Sequence, residues 1–246
     1  ALEGNFANAL RAGVCFANAI VNLGDLDGDG VTDLAVGAHN NYAPGQKHDR
    51  TGAVYILFLN SDGMVKTSHE ISNWSGNFAL DDNDSFGMSI SNLGDLDGDG
   101  VTDLAVGAYG DGDGGDNRGS AYILFLNSDG TVKTHQKISA LEGNFEGELD
   151  DLDWFGISVS SIADLNGDKV TDLAVGVTRD DDGGMDTGAV YILFLNDDGT
   201  VKTHQKISAL EVDLGGGGCL IATASFGSEL AFQVQQLREL RDNTLL

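Results

Sequence analysis

The sequence predicts an all-β chain built from three successive four-stranded antiparallel units, followed by a short strand and an amphipathic helix. Three observations carry that expectation. An acidic loop recurs at Asp25–Asp33, Asp95–Asp103 and Asp164–Asp172, with spacings of 70 and 69 residues. A β-rich hexapeptide keeps the same phase, at Tyr55–Asn60, Tyr122–Asn127 and Tyr191–Asn196, and each copy runs into an Asp-Gly turn. No helical period of useful length occurs before residue 225. Self-similarity at a fixed period marks a repeat architecture, and a four-stranded unit of this length is the blade of a β-propeller.

The repeats are read as 1–72, 73–139 and 140–208. Strand one of each follows Phe16, Phe86 or Phe155 and alternates, as in Phe155-Gly156-Ile157-Ser158-Val159-Ser160. Strand two is the Leu-Ala-Val-Gly run after the acidic loop, small and apolar throughout, which suits burial on both faces. Strand three, Ala53–Leu59 and its equivalents, is rich in β-formers. The turns at Asp62-Gly63, Asp129-Gly130 and Asp198-Gly199 then lead into strand four, which opens on Val-Lys-Thr and ends at Ile71, Ile138 or Ile207. Three blades are fewer than the about four to eight that close a propeller, so open sheet edges are expected, and these invite pairing with another chain. The phrase Ala1–Phe6 recurs at Ala140–Phe145 and reopens at 209–211, a phase match that suits head-to-tail joining of subunits.

Residues 209–218 read as a Gly-rich linker. Residues 219–246 read as a strand-helix tail, with Ser228 as N-cap and Leu230, Val234, Leu237 and Leu240 on one stripe. Such a tail can dock on an open blade by strand addition.

Carboxyl-bearing side chains occupy positions 1, 3, 5 and 9 of each acidic loop: Asp25, Asp27, Asp29 and Asp33; Asp95, Asp97, Asp99 and Asp103; Asp164, Asp168 and Asp172, with Asn166 at position 3 of the last. Two like charges at ~4 Å repel by roughly 1 kcal/mol in water and about 4 at an effective dielectric near 20, so a cation is expected among them. Oxygen donors at alternating positions suit Ca2+ before other metals. The carbonyl of position 7 (Val31, Val101, Val170) would add a ligand. The EF-hand reading fails, because position 12 is Val36, Val106 or Val175 where that loop needs Glu. About three calcium sites are expected. The third is expected to be weakest, because Asn166 replaces a carboxylate and Lys169 stands where the others have Gly30 and Gly100.

Thirteen basic residues against 39 acidic ones give a formal charge of −26, which argues against nucleic acid and anionic membranes as partners and for cation binding. No stretch reaches the ~18 apolar residues of a membrane span. The chain opens directly on repeat sequence without a signal peptide, which reads as a mature or excised product. Loops suited to millimolar calcium favour an extracellular or cell-surface setting, where the sequons at Asn73 and Asn83 permit glycosylation. Cys15 and Cys219 either pair, within or between chains, or remain as thiols. No nucleophile elbow, His-x-x-x-His pair or nucleotide-binding glycine loop occurs, so no enzyme is expected.

Phe86-Gly87, the loop Asp95–Asp103 and Gly107-Ala108 resemble the FG-GAP repeat of the integrin α-subunit β-propeller. Phe155-Gly156 with Gly176-Val177 matches less fully, and Phe16-Ala17 has lost the first Gly. The resemblance covers about residues 1–208 and implies blades around an axis, calcium in the loop between the first two strands, and roles in adhesion or recognition. Prokaryotic surface proteins with tandem arrays of this repeat are most similar, and the tail resembles the C-terminal CFI-box of some secreted prokaryotic proteins, with Leu220 where that box has Phe.

On the face opposite the acidic loops, blades two and three carry Asp81, Asp82, Asp84, Asp111, Asp113 and Asp116, then Asp150, Asp151, Asp153, Asp180, Asp181, Asp182 and Asp186. The first blade has Arg11, Ala12 and Val14 in place of the first cluster, and Ala7–Val21 is almost uncharged. That region reads either as a covered contact or as drift; the acidic clusters read either as a solvated face or as a binding surface. Two functions follow: a calcium-stiffened surface protein that self-assembles into a fibre, surface layer or completed propeller, or a recognition module binding a glycan or protein on the acidic face.

Overall fold

The computed structural model describes residues 6, 10, 13–42, 49–75 and 79–209. The linker, Cys219 and the expected tail helix lie outside these residues. The strands are β1 (Ile20–Gly24), β2 (Asp33–Gly37), β3 (Ala53–Leu59), β4 (Val65–Ser72), β5 (Ser89–Gly94), β6 (Asp103–Ala108), β7 (Ser120–Leu126), β8 (Val132–Ile138), β9 (Phe155–Ser161), β10 (Leu173–Val177), β11 (Ala189–Leu195) and β12 (Val201–Ser208). They form three separate antiparallel meanders, β1-β2-β3-β4, β5-β6-β7-β8 and β9-β10-β11-β12. The chain is all-β over the described residues, and its sheets are open blades.

Alternation along the central strands explains why these runs are apolar throughout. In β6 and β7, Leu104 pairs with Leu124 and Val106 with Tyr122 on one face, while Ala105 pairs with Ile123 and Gly107 with Ala121 on the other. The first set packs on Ala35, Val54, Ile56 and Phe58 of the preceding blade. The second packs under Leu173, Val175, Tyr191, Leu193 and Leu195 of the next. Each buried Ile, Leu or Phe side chain contributes about 1.5–3 kcal/mol, so the blades are held chiefly by face-to-face burial.

Backbone contacts set the spacing. Phe86 and Phe155 form parallel bridges to Gly52 and Gly119 of the blade before. A Cβ added at Gly37 or Gly107 would lie 2.1 or 1.9 Å from the carbonyl oxygen of Gly87 or Gly156, so only glycine permits this approach. The first strands of the blades lie side by side, with β9 against β5 and β6, and β5 against β1 and β2. Asn92 Nδ2 donates to Asn22 O at 2.7 Å, and Ser161 N donates to Ser91 Oγ at 2.8 Å, across one repeat length.

The boundary phrase has a packing role that its recurrence alone did not reveal. Phe145 is 7 % exposed, with ring centroids 5.1 Å from both Phe155 and Tyr191. Phe6 repeats this against Phe16 and Tyr55, at 5.3 and 5.8 Å. The first blade is therefore covered partly by its own rings.

The outer blades keep exposed apolar surface. On the third, Val190 is 39 % exposed, and Ala174, Ile192 and Phe194 are half-buried. Their second-blade equivalents Ala121, Ala105, Ile123 and Phe125 are 0–3 % exposed. On the first blade Ile20 is 61 % exposed. Among the described residues no helix is long and apolar enough to cross a membrane.

Candidate metal centres

Each acidic loop joins the first two strands of its blade and is ordered by its own carboxylates. Asp25 Oδ2 accepts the Gly30 N–H at 2.8 Å, Asp27 Oδ1 accepts Asp29 N–H at 3.2 Å, and Asp29 Oδ1 accepts Val31 N–H at 2.9 Å. Asp95, Asp97 and Asp99 hold Gly100, Asp99 and Val101 in the same way, at 2.9, 3.2 and 2.9 Å. One oxygen from each of the three carboxylates lies within 4.8 Å of the others in both loops. Three exposed carboxylates this close are a donor set of hard oxygens, which fits a divalent cation of the Ca2+ or Mg2+ type.

The third loop is built differently. Asp164 accepts the N–H groups of Gly167, Asp168 and Lys169, at 2.7, 3.1 and 2.9 Å. Asp168 Oδ1 accepts Val170 N–H at 3.0 Å, while Asn166 Nδ2 donates to Asp168 Oδ2 at 3.0 Å. Lys169 sits at φ 75°, in the left-handed region where Gly30 and Gly100 sit in the first two loops.

The position-9 carboxylates are buried and engaged on both oxygens. Asp33 accepts Leu26 N–H and Leu59 N–H, each at 3.0 Å. Asp103 accepts Leu96 and Leu126 at 2.9 and 3.1 Å, and Asp172 accepts Leu165 and Leu195 at 2.9 and 3.3 Å. Burial pushes the Asp103 carboxyl up to about 6 against the pull of those N–H groups, and burial raises Asp172 as well. Positions 1, 3 and 5 thus face solvent together, and position 9 secures the loop to the strand behind it.

Sequence reasoning missed a fourth participant. Lys66 of β4 reaches across the blade to Asp27 Oδ2 at 2.7 Å and Asp29 Oδ2 at 2.5 Å. Lys133 does the same to Asp97 and Asp99, at 2.6 and 2.5 Å, and Lys202 reaches Asp168 at 3.0 Å. The lysine hydrogen bond, then the Val31 N–H, holds Asp29 below the usual carboxylate range; Asp99 is lowered in the same way by Lys133 and Val101. The signal was the in-phase Val-Lys-Thr, which the hairpin places beside the loop.

The opposite end divides into solvated and buried carboxylates. Asp81, Asp82, Asp150, Asp151 and Asp181 are exposed, whereas Asp84, Asp111, Asp153 and Asp180 are 2–3 % exposed. Lys137 bridges Asp111 and Asp113 at 2.7 Å each, and Lys206 bridges Asp180 and Asp182, at 2.5 and 2.7 Å. In the first blade this network is rewritten together: Val14 stands for Asp84, Asn41 for Asp111 and Glu70 for Lys137, with Asn41 Nδ2 donating to Glu70 Oε1 at 3.0 Å. Cys15 is exposed, and its sulfur accepts Asn40 Nδ2 at 3.1 Å. His135 and His204 lie against the rings of Tyr122 and Tyr191, at 6.3 and 5.7 Å, and burial lowers both their pKa values.

The FG-GAP repeat family matches residues 16–57, 86–124 and 155–193, one segment in each blade. The three blades are FG-GAP repeats. Similarity extends to Integrin alpha-5 of Xenopus laevis, 34 % identical over 175 residues, covering 70 % of this chain and 15 % of that protein. Integrin alpha-7 of Homo sapiens is 35 % identical over 162 residues, covering 64 % and 12 %. Integrin alpha-PS2 of Drosophila melanogaster is 35 % identical over 163 residues, covering 64 % and 11 %. The chain thus spans well under a fifth of the length of these relatives. In the second and third repeats the Phe-Gly pair docks on the preceding blade, and in all three the acidic loop lies between the Phe and the Gly-Ala or Gly-Val pair.

Proposed function

We propose that this chain is a calcium-stabilised extracellular surface protein whose FG-GAP blades join those of other copies head to tail, in a fibre, a surface layer or a completed propeller. The observation that carries this reading is the exposed face of the third blade, Ala174, Val190, Ile192 and Phe194. The same face of the first two blades is buried under the blade that follows. Its natural occupant is the first blade of a second copy, where Leu34 and Leu59 are only half-buried although their equivalents Leu104 and Leu126 are 0 % exposed. Joining an exposed face to a different face gives a heterologous contact, which propagates unless rotation closes it.

In this reading Asp25, Asp27, Asp29 and Val31, then Asp95, Asp97, Asp99 and Val101, hold calcium. Asp164, Asn166, Asp168 and Val170 form the weakest site, and Asp33, Asp103 and Asp172 support the loops from behind. Calcium would neutralise carboxylates that otherwise repel and so stiffen each blade. No catalytic chemistry is assigned. The test is particle size by light scattering and electron microscopy, in calcium and in chelator. Calcium-dependent oligomers support the reading; a folded monomer under both conditions overturns it.

A second reading, adhesion or recognition, has its own observation. Trp154 and Tyr109 form a half-buried aromatic pair at 5.3 Å on the end opposite the acidic loops, with Arg179 3.8 Å over the indole and Asp151 exposed nearby. An aromatic face among polar groups suits a glycan or a protein loop. Saturable binding on a glycan array that is lost in Trp154→Ala would favour it.

A further inference from the structure

We propose that Lys66, Lys133 and Lys202 are built-in competitors for the divalent cation: tethered ammonium groups that hold the acidic loops together until a metal displaces them. The inference rests on the calcium reading and concerns what the chain's own residues do before the metal arrives. In the first two loops, the inner oxygens of the position-3 and position-5 carboxylates are used by loop N–H groups, Asp29 and Val31 in one, Asp99 and Val101 in the other. The outer oxygens are left, and these are the ones the lysine bridges, at 2.5–2.7 Å. One ammonium thus occupies the position between two carboxylates that a divalent ion needs.

The geometry is not a chance surface pairing. The lysine arrives from the fourth strand, 37 and 39 residues after Asp29 and Asp27, and the second blade repeats it at 34 and 36 residues. It sits on the hairpin that the blade topology places beside the loop, so no induced movement is required. Its side chain is 39 % exposed, which leaves an open path into solvent. Four methylenes of stem let the ammonium swing clear without a change in the backbone.

The two occupants exclude each other. An ammonium left between Asp27 and Asp29 would repel an incoming dication at contact distance, so metal binding has to release the lysine. The latch therefore softens carboxylate repulsion at low calcium and sets a higher calcium threshold for loading. The third copy is graded in the same sense. Asn166 carries no charge, and Lys202 reaches Asp168 alone, at 3.0 Å. A weaker latch accompanies a weaker site.

Two measurements on the full chain test this. Amine acylation read by mass spectrometry, with and without calcium, should show a several-fold faster modification of Lys66 and Lys133 in calcium, while Lys137 and Lys206 at the opposite end do not change. Calorimetric titration should give Lys66→Met/Lys133→Met about 2- to 5-fold tighter calcium binding per site, the range expected from removing an exposed ion pair. Arg118→Gln/Arg179→Gln, which removes two positive charges at the opposite end from the loops, controls for net charge. Should the double variant fail to fold without calcium, the acylation arm still decides. Calcium binding to wild type with unchanged lysine reactivity, or an affinity no tighter than that of the control, overturns the latch alone. No calcium binding to either wild type or variant overturns the calcium reading together with the latch.

Discussion

The carboxylate of Asp103 accepts the backbone N–H of Leu126 at 3.1 Å, tying the end of the acidic loop to the end of β7. Its other oxygen holds Leu96 N–H at 2.9 Å, at the start of the same loop. Asp33 and Asp172 repeat both bonds, so the clamp belongs to the blade as such. Removing a buried carboxylate that satisfies two N–H groups leaves both unpaired, at about 1–3 kcal/mol each. Asp103→Ala should therefore lose roughly 2–6 kcal/mol in denaturant unfolding, whether calcium or chelator is present. Asp97→Ala, in the solvent-facing part of the same loop, should lose more stability in calcium than in chelator, where only its Asp99 N–H bond and its Lys133 pair are removed. An Asp103→Ala defect that appears only with calcium would make Asp103 a ligand first and a clamp second.

Asp84 gives the chain a pH dependence at the other end. It is 2 % exposed, and burial, followed by the charge of Asp111, raises its carboxyl to about 7 even though the Asp81 N–H bonds it at 2.7 Å. The folded state then holds a proton that the unfolded chain, with an ordinary value near 3.8, has already released. Stability from this group is unaffected below about pH 4 and falls as pH rises towards about 7, where the folded carboxyl finally ionises. At 1.36 kcal/mol per pH unit the ceiling is roughly 4 kcal/mol. Asp84→Asn keeps an acceptor for Asp81 and removes the buried charge. It should stabilise the chain at pH 7.5, with the gain shrinking to nothing by pH 4. Val14 already stands at this place in the first blade, buried at 3 %, so the blade folds without a carboxylate there. A destabilised Asp84→Asn at pH 7.5 would show instead that the charge is needed by Lys137.

The fold was legible in the sequence because each blade repeats its chemistry in phase: alternation in β9, the Leu-Ala-Val-Gly run and the Asp-Gly turn each specify local geometry. The loops were legible because carboxylates at positions 1, 3 and 5 have few other uses. What was not legible depends on contacts across the sheet. Lys66 looks like any exposed strand residue until the hairpin brings it beside Asp27. Asp84 and Asp82 read alike in sequence, yet one is buried and the other solvated, because burial depends on the loop from the same blade folding over it. Phe145 marks a repeat boundary in sequence and proves to be a core ring. A paired exchange was present all along: where Asn41 replaces Asp111, Glu70 replaces Lys137, which only contact makes meaningful.

The third loop should be improvable by two changes. Lys169 at φ 75° is strained by roughly 1–2 kcal/mol relative to glycine, and Asn166 withholds one charge. Asn166→Asp/Lys169→Gly restores the pattern of the first two loops. Terbium luminescence or calorimetry should show the largest gain in affinity at this site, because a third carboxylate is restored and a cation is removed from beside it. Unequal affinities among the three loops of wild type, with this one weakest, are expected first; equal occupancy on titration would remove the premise.

Gly107 and Gly176 occupy equivalent places, and they separate folding from assembly. A Cβ at Gly107 would sit 1.9 Å from the carbonyl oxygen of Gly156 in the next blade, a backbone atom that cannot yield without moving the blade. A Cβ at Gly176 would approach only Ser158, most closely its Oγ at 2.2 Å. A hydroxyl can rotate away. Gly107→Ala should therefore loosen the second blade from the third, costing about 1–3 kcal/mol as an overpacking change. Gly176→Ala should leave the unfolding midpoint of the isolated chain nearly unchanged. If the third blade receives the Phe-Gly turn region of another copy as the first two receive their neighbours', the same methyl will meet that copy's carbonyl and abolish association. Sedimentation of Gly176→Ala in calcium decides: a monomer with wild-type stability places the joint at this face, and oligomers of wild-type size would move it elsewhere.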